Sequence, residues 1–227
     1  MEVTGYEGNG IRITDAQVHG LSESMAAAYL PMMHGREEYS DRLDGVEEAL
    51  GVGIVPDRPR TLASYGPGEG HNCYLVGINV QANITAPRYW WHQLQRYHFV
   101  EIVSSMSTMH RLGEGLDALC AQRQLLPEHY DFEQYFSSGT DSRIVDLLLD
   151  IWEDLRDNTG MSRNERLLVI KPNLPEGWLQ TARISTNYRQ LKSIVYQRSD
   201  HRLKEWKGFC SWCREMLPCA ELLATTK

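Results

Sequence analysis

The chain predicts an α+β fold, an antiparallel sheet flanked by helices. Two segments and their order carry that reading. Ile78, Val80, Ala82 and Ile84 alternate with Asn79, Gln81, Asn83 and Thr85, the period of two of a half-buried strand. From Thr140 to about Asn158, Ile144, Leu147, Leu148, Ile151, Trp152 and Leu155 share one face of a long helix that Asp141 can cap. Helical and strand-like segments follow one another irregularly, unlike a repeating βαβ pattern.

The remaining elements follow in order. Ile11-Arg12-Ile13 alternates as a short first strand. Leu21 to Leu30 is predicted helical, with Ser22 or Ser24 as its cap and Pro31 as its stop. A second helix is predicted from Asp41 to Leu50, ended by Gly51. The glycines and proline from Tyr65 to Asn72 make a surface loop. Pro87 ends the clear strand and suits the first turn of a helix from Arg88 to about Arg96. Leu174 to Gly177 is a turn, Trp178 to Ser185 a strand, and Tyr188 to Arg198 and His201 to Met216 are helices. With no repeat, low-complexity tract or linker, residues 1–227 read as one domain.

The net charge of -7 argues against coating a nucleic acid polymer, so any anionic ligand must meet a local basic cluster. No apolar run approaches the roughly 20 residues that span a bilayer, so no membrane partner is expected. Five cysteines, an odd number, without a recognisable leader suggest free thiols in a reducing cytoplasm. Cys210 and Cys213, at i and i+3, read as a buried helix face, since a zinc site would need a second pair of ligands. The glycines of Gly66 to Gly70 neither follow a strand nor open a helix, so they form no dinucleotide fingerprint or P-loop. No Gly-x-Ser-x-Gly elbow or His-Glu-x-x-His pair is present.

Two segments, His92 to Arg111 and Ile184 to Arg198, are rich in polar groups for their apolar surroundings. On a continued helix Gln93 and Arg96 would share a face, and the serines that follow offer hydroxyl and backbone donors. A guanidinium beside such donors suits a phosphate, which it binds bidentately. Between Arg189 and Lys207 six basic residues face two acidic ones, a local reversal of the overall charge. A solvated helix face would give the same composition.

The order of these pieces resembles the flavin-dependent thymidylate synthase family over residues 65 to 207. Gly70-His71, Ala86-Pro87, Gln93, Arg96-Tyr97-His98 and the serines at 104, 105 and 107 follow the family's order, as do Leu174-Pro175, Asn187-Tyr188-Arg189, Arg198 and Trp206. The chain departs from the pattern at several points. Tyr97 and His98 replace the last two members of an Arg-His-Arg signature. The family's spacing lands on Met106, one residue before Ser107. Lys171 stands where the family has arginine, which keeps the charge and loses the fork, and one extra residue separates Arg198 from Trp206. The pattern is closest to an outlying branch that methylates UMP or dUMP in nucleoside-antibiotic biosynthesis.

The resemblance implies the family's sheet-and-helix fold, FAD as cofactor, NADPH as reductant, methylenetetrahydrofolate as carbon donor and a homotetramer with active sites between subunits. It implies that Gln93, Arg96, Lys171, Arg198 and the stretch Ser105, Met106, Ser107 and Thr108 hold a UMP or dUMP nucleotide. It implies that His71, Tyr97, His98, Phe99, Asn187, Arg189 and Ser193 contact FAD. Arg198 would be the catalytic group, favouring the ionised uracil by its charge; no cysteine lies in the matched motifs. Tyr97 and His98 are expected to pack inside. Strict dUMP methylation, a hydroxymethyl or cytosine-nucleotide variant of the reaction, and non-catalytic nucleotide binding are the alternatives.

Overall fold

A computed structural model describes residues 1–34, 36–66, 69–126 and 130–224. In chain order its strands and α-helices are β1 (Glu2–Val3), β2 (Tyr6–Gly8), β3 (Ile11–His19), α1 (Leu21–Ala27), α2 (Arg36–Gly51), α3 (Asp57–Ser64), β4 (Asn79–Pro87), α4 (Arg88–Leu94), β5 (Glu101–Ser105), α5 (Thr108–Leu125), α6 (Ser142–Asp157), α7 (Arg163–Ile170), β6 (Leu179–Asn187), α8 (Tyr188–Arg198) and α9 (Lys204–Glu215). The chain divides into two compact units. One comprises Met1–Ile84, Leu94–Val103 and Arg183–Lys227, and the other Thr85–Gln93 and Ser104–Ala182.

The first unit contains most of a sheet whose strand order is β1-β3-β4-β6-β5, with β2 also on β3. β1 and β2 pair antiparallel with β3, Val3 opposite Ala16 and Tyr6 opposite Ile13. In β4, Val80, Ala82 and Ile84 are fully buried while Asn79, Gln81 and Asn83 are not, the alternation read from the sequence. β3 is longer than the predicted Ile11–Ile13. Its buried positions change parity from Ile11 and Ile13 to Ala16 and Val18 around Asp15, whose φ of 50° interrupts the pleat. A strict period-two reading therefore stops at that point. In β6 the same period of two holds, with Ala182, Ile184 and Thr186 buried and Arg183, Ser185 and Asn187 only half-buried.

Helix caps also differ from expectation. α1 begins after Gly20, a left-handed residue (φ 74°) on which a Cβ would meet the Gly77 carbonyl oxygen at 2.6 Å, so Ser22 and Ser24 lie inside the helix. α1 stops at Ala27, and Pro31 sits within a separate 3-10 turn, Leu30–Met32. α2 starts at Arg36, before the predicted Asp41, and includes Gly51. Residues Tyr65, Gly66 and Glu69 to Asn72 lie outside helix and strand as predicted, while Pro67 and Gly68 fall outside the described residues. α8 has the predicted bounds, and α9 begins at Lys204 instead of His201. Cys210 and Cys213 are buried on α9, as the helix-face reading requires.

The second unit is built on α5, α6 and α7. Leu112, Leu116, Leu119, Val145, Leu148, Leu149, Trp152, Leu167, Ile170 and Trp178 form its core. Asp141 caps α6 by accepting from the Arg143 backbone N–H at 3.0 Å, as expected. The buried stripe of α6 is Val145, Leu148, Leu149 and Trp152, whereas Ile144 and Leu147, assigned to it from the sequence, are 49% and 61% exposed. So much of this helix is apolar that periodicity alone does not select the buried edge. α5 has no counterpart among the helices the sequence predicts, since Gly113 and Gly115 weaken its pattern. Packing explains Gly115: an added Cβ would lie 3.0 Å from the Tyr135 ring and 3.2 Å from that of Trp178.

Candidate functional site

β6 runs directly into α8, and Asn187 sits at the junction. Its side-chain oxygen accepts from the Gln190 backbone N–H at 3.0 Å, satisfying one of the donors that a helix start leaves unpaired. This cap fixes the first turns of α8, from which Arg189, Gln190 and Ser193 project. Together with Asn187, Phe99, Asn72, Val76 and Lys192 they line a cavity of about 520 Å³, all within the first unit. Four of the seven residues assigned to a flavin by resemblance, Phe99, Asn187, Arg189 and Ser193, thus meet around one hollow.

Phe99 is unusual twice over. It takes a positive φ of 61° and is 70% exposed. A bulky side chain pays steric strain for that backbone conformation, and the Thr186 hydroxyl helps to hold it by donating to the Phe99 carbonyl at 2.8 Å. The result is an uncovered aromatic ring at the cavity.

In the sequence Lys192 is only one of the six basic residues between Arg189 and Lys207. It is in fact 1% exposed, and its ammonium donates to the carbonyls of Ala63 and Ala224. Burial pushes its pKa down to about 8. Asn72, Val76 and Gln190 were also missed. Asn72 is next to the singled-out His71 and is buried, its amide nitrogen donating to the Tyr65 and Gly66 carbonyls at 3.4 and 3.5 Å. Val76 belongs to a 3-10 turn, Cys73–Gly77, that carries no sequence signature.

The other three presumed flavin contacts lie outside the cavity lining. His71 is exposed with its ring 4.4 Å from that of Tyr65. His98 is exposed, contrary to the expected packing, because it follows the end of α4 in a turn. Tyr97 is half-buried, and its ring lies edge-on to Trp206 at 5.9 Å.

Tyr97 instead meets Arg198. The Arg198 guanidinium lies 5.5 Å from the Tyr97 ring centre and 4.9 Å from that of the fully buried Trp206. Its Nε–H donates to the Tyr97 hydroxyl at 2.6 Å. That hydroxyl donates to Gln197 Oε1 at 3.1 Å, and Gln197 Nε2 donates to Ser193 Oγ at 3.1 Å. A hydrogen-bonded chain therefore joins Arg198 to a residue of the cavity. His201, also beside Trp206, has its pKa lowered by burial and then by Arg198 and Arg202.

The remaining presumed nucleotide contacts are placed as follows. Gln93 is in α4, but α4 ends at Leu94, so Arg96 lies in the following turn and the shared helix face predicted for these two does not form. Arg96 is exposed. Ser105 ends β5, and the Met106 N–H donates to the Thr181 carbonyl at 2.8 Å. Ser107 is the N-cap of α5 and Thr108 its first residue. The first turn of this 18-residue helix presents backbone N–H groups and the positive end of the helix dipole, which favour an anion. Lys171 opens an exposed 3-10 turn, Lys171–Asn173. Among the described residues no cluster of three metal-ligating side chains occurs, and no helix is long and apolar enough to cross a membrane.

No family model and no curated protein matches the sequence. Solved structures do match the fold. A Helicobacter pylori flavin-dependent thymidylate synthase complexed with FAD and dUMP superimposes with a TM-score of 0.62 at 18% identity, over 96% of this chain and 94% of that one. A second Helicobacter pylori structure, of thymidylate synthase X with FAD and dUMP, gives 0.58 at 16% identity, over 98% and 95%. The chain has the fold of the flavin-dependent thymidylate synthases.

Proposed function

We propose that this protein is a flavin-dependent uridylate C5-methylase, taking UMP or dUMP as substrate, methylenetetrahydrofolate as carbon donor and NADPH as reductant. The observation that carries the reading is the cavity at the start of α8, where Phe99, Asn187, Arg189 and Ser193 come together. Its size falls within the roughly 300–1,000 Å³ of small-molecule sites. Its lining suits a flavin nucleotide, with an aromatic face in Phe99, a guanidinium in Arg189 for phosphate, and carboxamides and a hydroxyl for polar edges. A bound flavin would supply the one-carbon carrier and redox chemistry that converts a methylene to a methyl group.

The chain's own groups supply the rest. Arg198, its charge set against two aromatic rings, would favour the ionised uracil and so raise electron density at C5. Gln93, Arg96, Lys171 and the donors from Ser105 to Thr108 would hold the sugar and phosphate, and His71 and His98 would border the cofactor side. Burial raises the thiol pKa of Cys120, Cys210 and Cys219 to about 11 each, which suits a reaction without a cysteine nucleophile.

A homotetramer with shared sites fits the exposure of β5. Every residue of this edge strand is exposed, including Ile102 and Val103, so a second subunit would have apolar surface to cover. The departures at Tyr97, His98 and Lys171 support our reading of a branch like the UMP/dUMP methylases of polyoxin-type antibiotic biosynthesis, which would act in the cytoplasm on free nucleotides, with no nucleic acid polymer or membrane as partner. Strict dUMP methylation is the nearest alternative, since both related structures hold dUMP.

The test is release of tritium from C5-labelled UMP and dUMP in the presence of FAD, NADPH and methylenetetrahydrofolate, with the product mass measured. Release with a methyl-sized mass gain supports the reading. No release from either nucleotide overturns it, and a hydroxymethyl product redirects it.

A further inference from the structure

We propose that Tyr97 is a positioning residue for the uridylate site, holding the Arg198 guanidinium in one orientation and linking it to the α8 cavity. The inference rests on the proposed function and reassigns Tyr97 from the cofactor side to the substrate side.

Geometry carries it. A guanidinium has five N–H donors in a rigid plane. In Arg198 the Nε–H is committed to the Tyr97 hydroxyl at 2.6 Å, and the guanidinium packs against the Tyr97 and Trp206 rings, 5.5 and 4.9 Å from their centres. The Nη1 and Nη2 groups form the end of the fork left for a ligand. Two parallel donors match two neighbouring acceptors, and an ionised uracil offers such a pair in its deprotonated N3 and an adjacent carbonyl oxygen. A flexible arginine would meet the neutral base equally well in several poses. One held along its Nε edge is organised in advance for the anion, which is where it can help the reaction.

The Tyr97 hydroxyl has both its roles defined. It accepts from Arg198 and donates to Gln197 Oε1. The Gln197 amide then donates to Ser193 at the cavity. A ligand in the cavity that moves Ser193 shifts this chain, so occupancy there and uridylate binding are coupled, and the coupling is reciprocal.

Tyr97→Phe tests this, because it keeps the ring over the guanidinium and removes only the hydroxyl. Tyr97→His, which restores an acceptor, is its companion. Three quantities are measured on the full chain with added FAD: the FAD affinity from flavin fluorescence, the UMP and dUMP affinities by calorimetry, and the ionisation of bound uridylate from its ultraviolet spectrum across pH. The expected result for Tyr97→Phe is a loss of about tenfold or more in uridylate affinity, the size of a charge-assisted hydrogen bond. Its FAD affinity should stay within about twofold in the absence of uridylate, and the bound base should ionise at higher pH. Tyr97→His should recover part of both uridylate effects. Unchanged uridylate affinity and ionisation in Tyr97→Phe overturn the inference alone. So do equal losses for FAD and uridylate accompanied by a lower melting temperature, which mark Tyr97 as packing only. A native protein that takes up FAD and binds neither uridylate overturns the proposed function and this inference with it.

Discussion

Arg123 and Arg198 are both half-hidden arginines on helices, and their surroundings differ in kind. Arg123, in the second unit, is met by three carboxylates, Glu153 at 2.6 Å, Asp150 at 2.9 Å and Asp146 at 3.8 Å. Burial works against its charge, but the bonds to Asp150 and Glu153 outweigh it and hold its pKa above the ordinary arginine value. Arg198, in the first unit, is met by aromatic faces and a phenol. In a chain with seven more acidic than basic residues, an arginine set among neutral groups is informative. Arg123 holds helices together, whereas the Arg198 charge remains available to an anion.

The largest effect that sharpens this contrast is on catalysis. Arg198→Ala should lower tritium release from C5-labelled uridylate by about a hundredfold or more, the usual consequence of removing a group that stabilises developing charge. Its melting temperature should change little. A variant that keeps most of its turnover would remove Arg198 from the chemistry.

Arg123→Ala should show the reverse. Deleting the cation leaves three carboxylates facing one another. Because Asp150 is 64% exposed, solvent screens part of the repulsion, and the loss of stability should be about 1–2 kcal/mol. Chemical denaturation reads that loss, and FAD uptake at a temperature where the variant is folded should match the native protein.

Arg189→Ala should weaken FAD binding by about tenfold, the worth of one charge-assisted phosphate contact. Equilibrium titration of flavin fluorescence measures it.

The smallest effect comes from Lys192. Its pKa of about 8 lies below the ordinary lysine value of 10.5, so between those pH values the unfolded chain binds the extra proton. Stability contributed by the neutral amine is therefore present above pH 10.5 and lost as pH falls through 8, with a slope of at most about 1.4 kcal/mol per pH unit. Denaturation of native protein and Lys192→Met across that range should show the slope in the first and its absence in the second.

These residues also show what a sequence reveals and conceals. β4 was legible because Val80, Ala82 and Ile84 keep strict alternation, and α8 because Asn187 caps a pattern that ends cleanly at Arg198. β3 was cut short because Asp15 shifts the parity of burial, and α5 was missed because Gly113 and Gly115 serve ring packing at the expense of helix propensity. At the candidate site, Phe99, Asn187, Arg189 and Ser193 were assigned by resemblance, and the cavity gathers them. Asn72, Val76, Gln190 and Lys192 share that cavity without a motif to mark them. The contact between Tyr97 and Arg198 has no local signature, because the hydrogen bond that makes it joins positions about a hundred residues apart.

On the proposed function, the cavity at the head of α8 takes a flavin. The most direct measurement is the visible spectrum of the protein on addition of FAD, native against Ser193→Trp, which places a large ring in that hollow. The native protein should turn yellow after removal of free FAD and show a shifted flavin band, and the variant should stay colourless while keeping its fold by circular dichroism. A native protein that retains no FAD, or a folded variant that retains as much as the native, would contradict it.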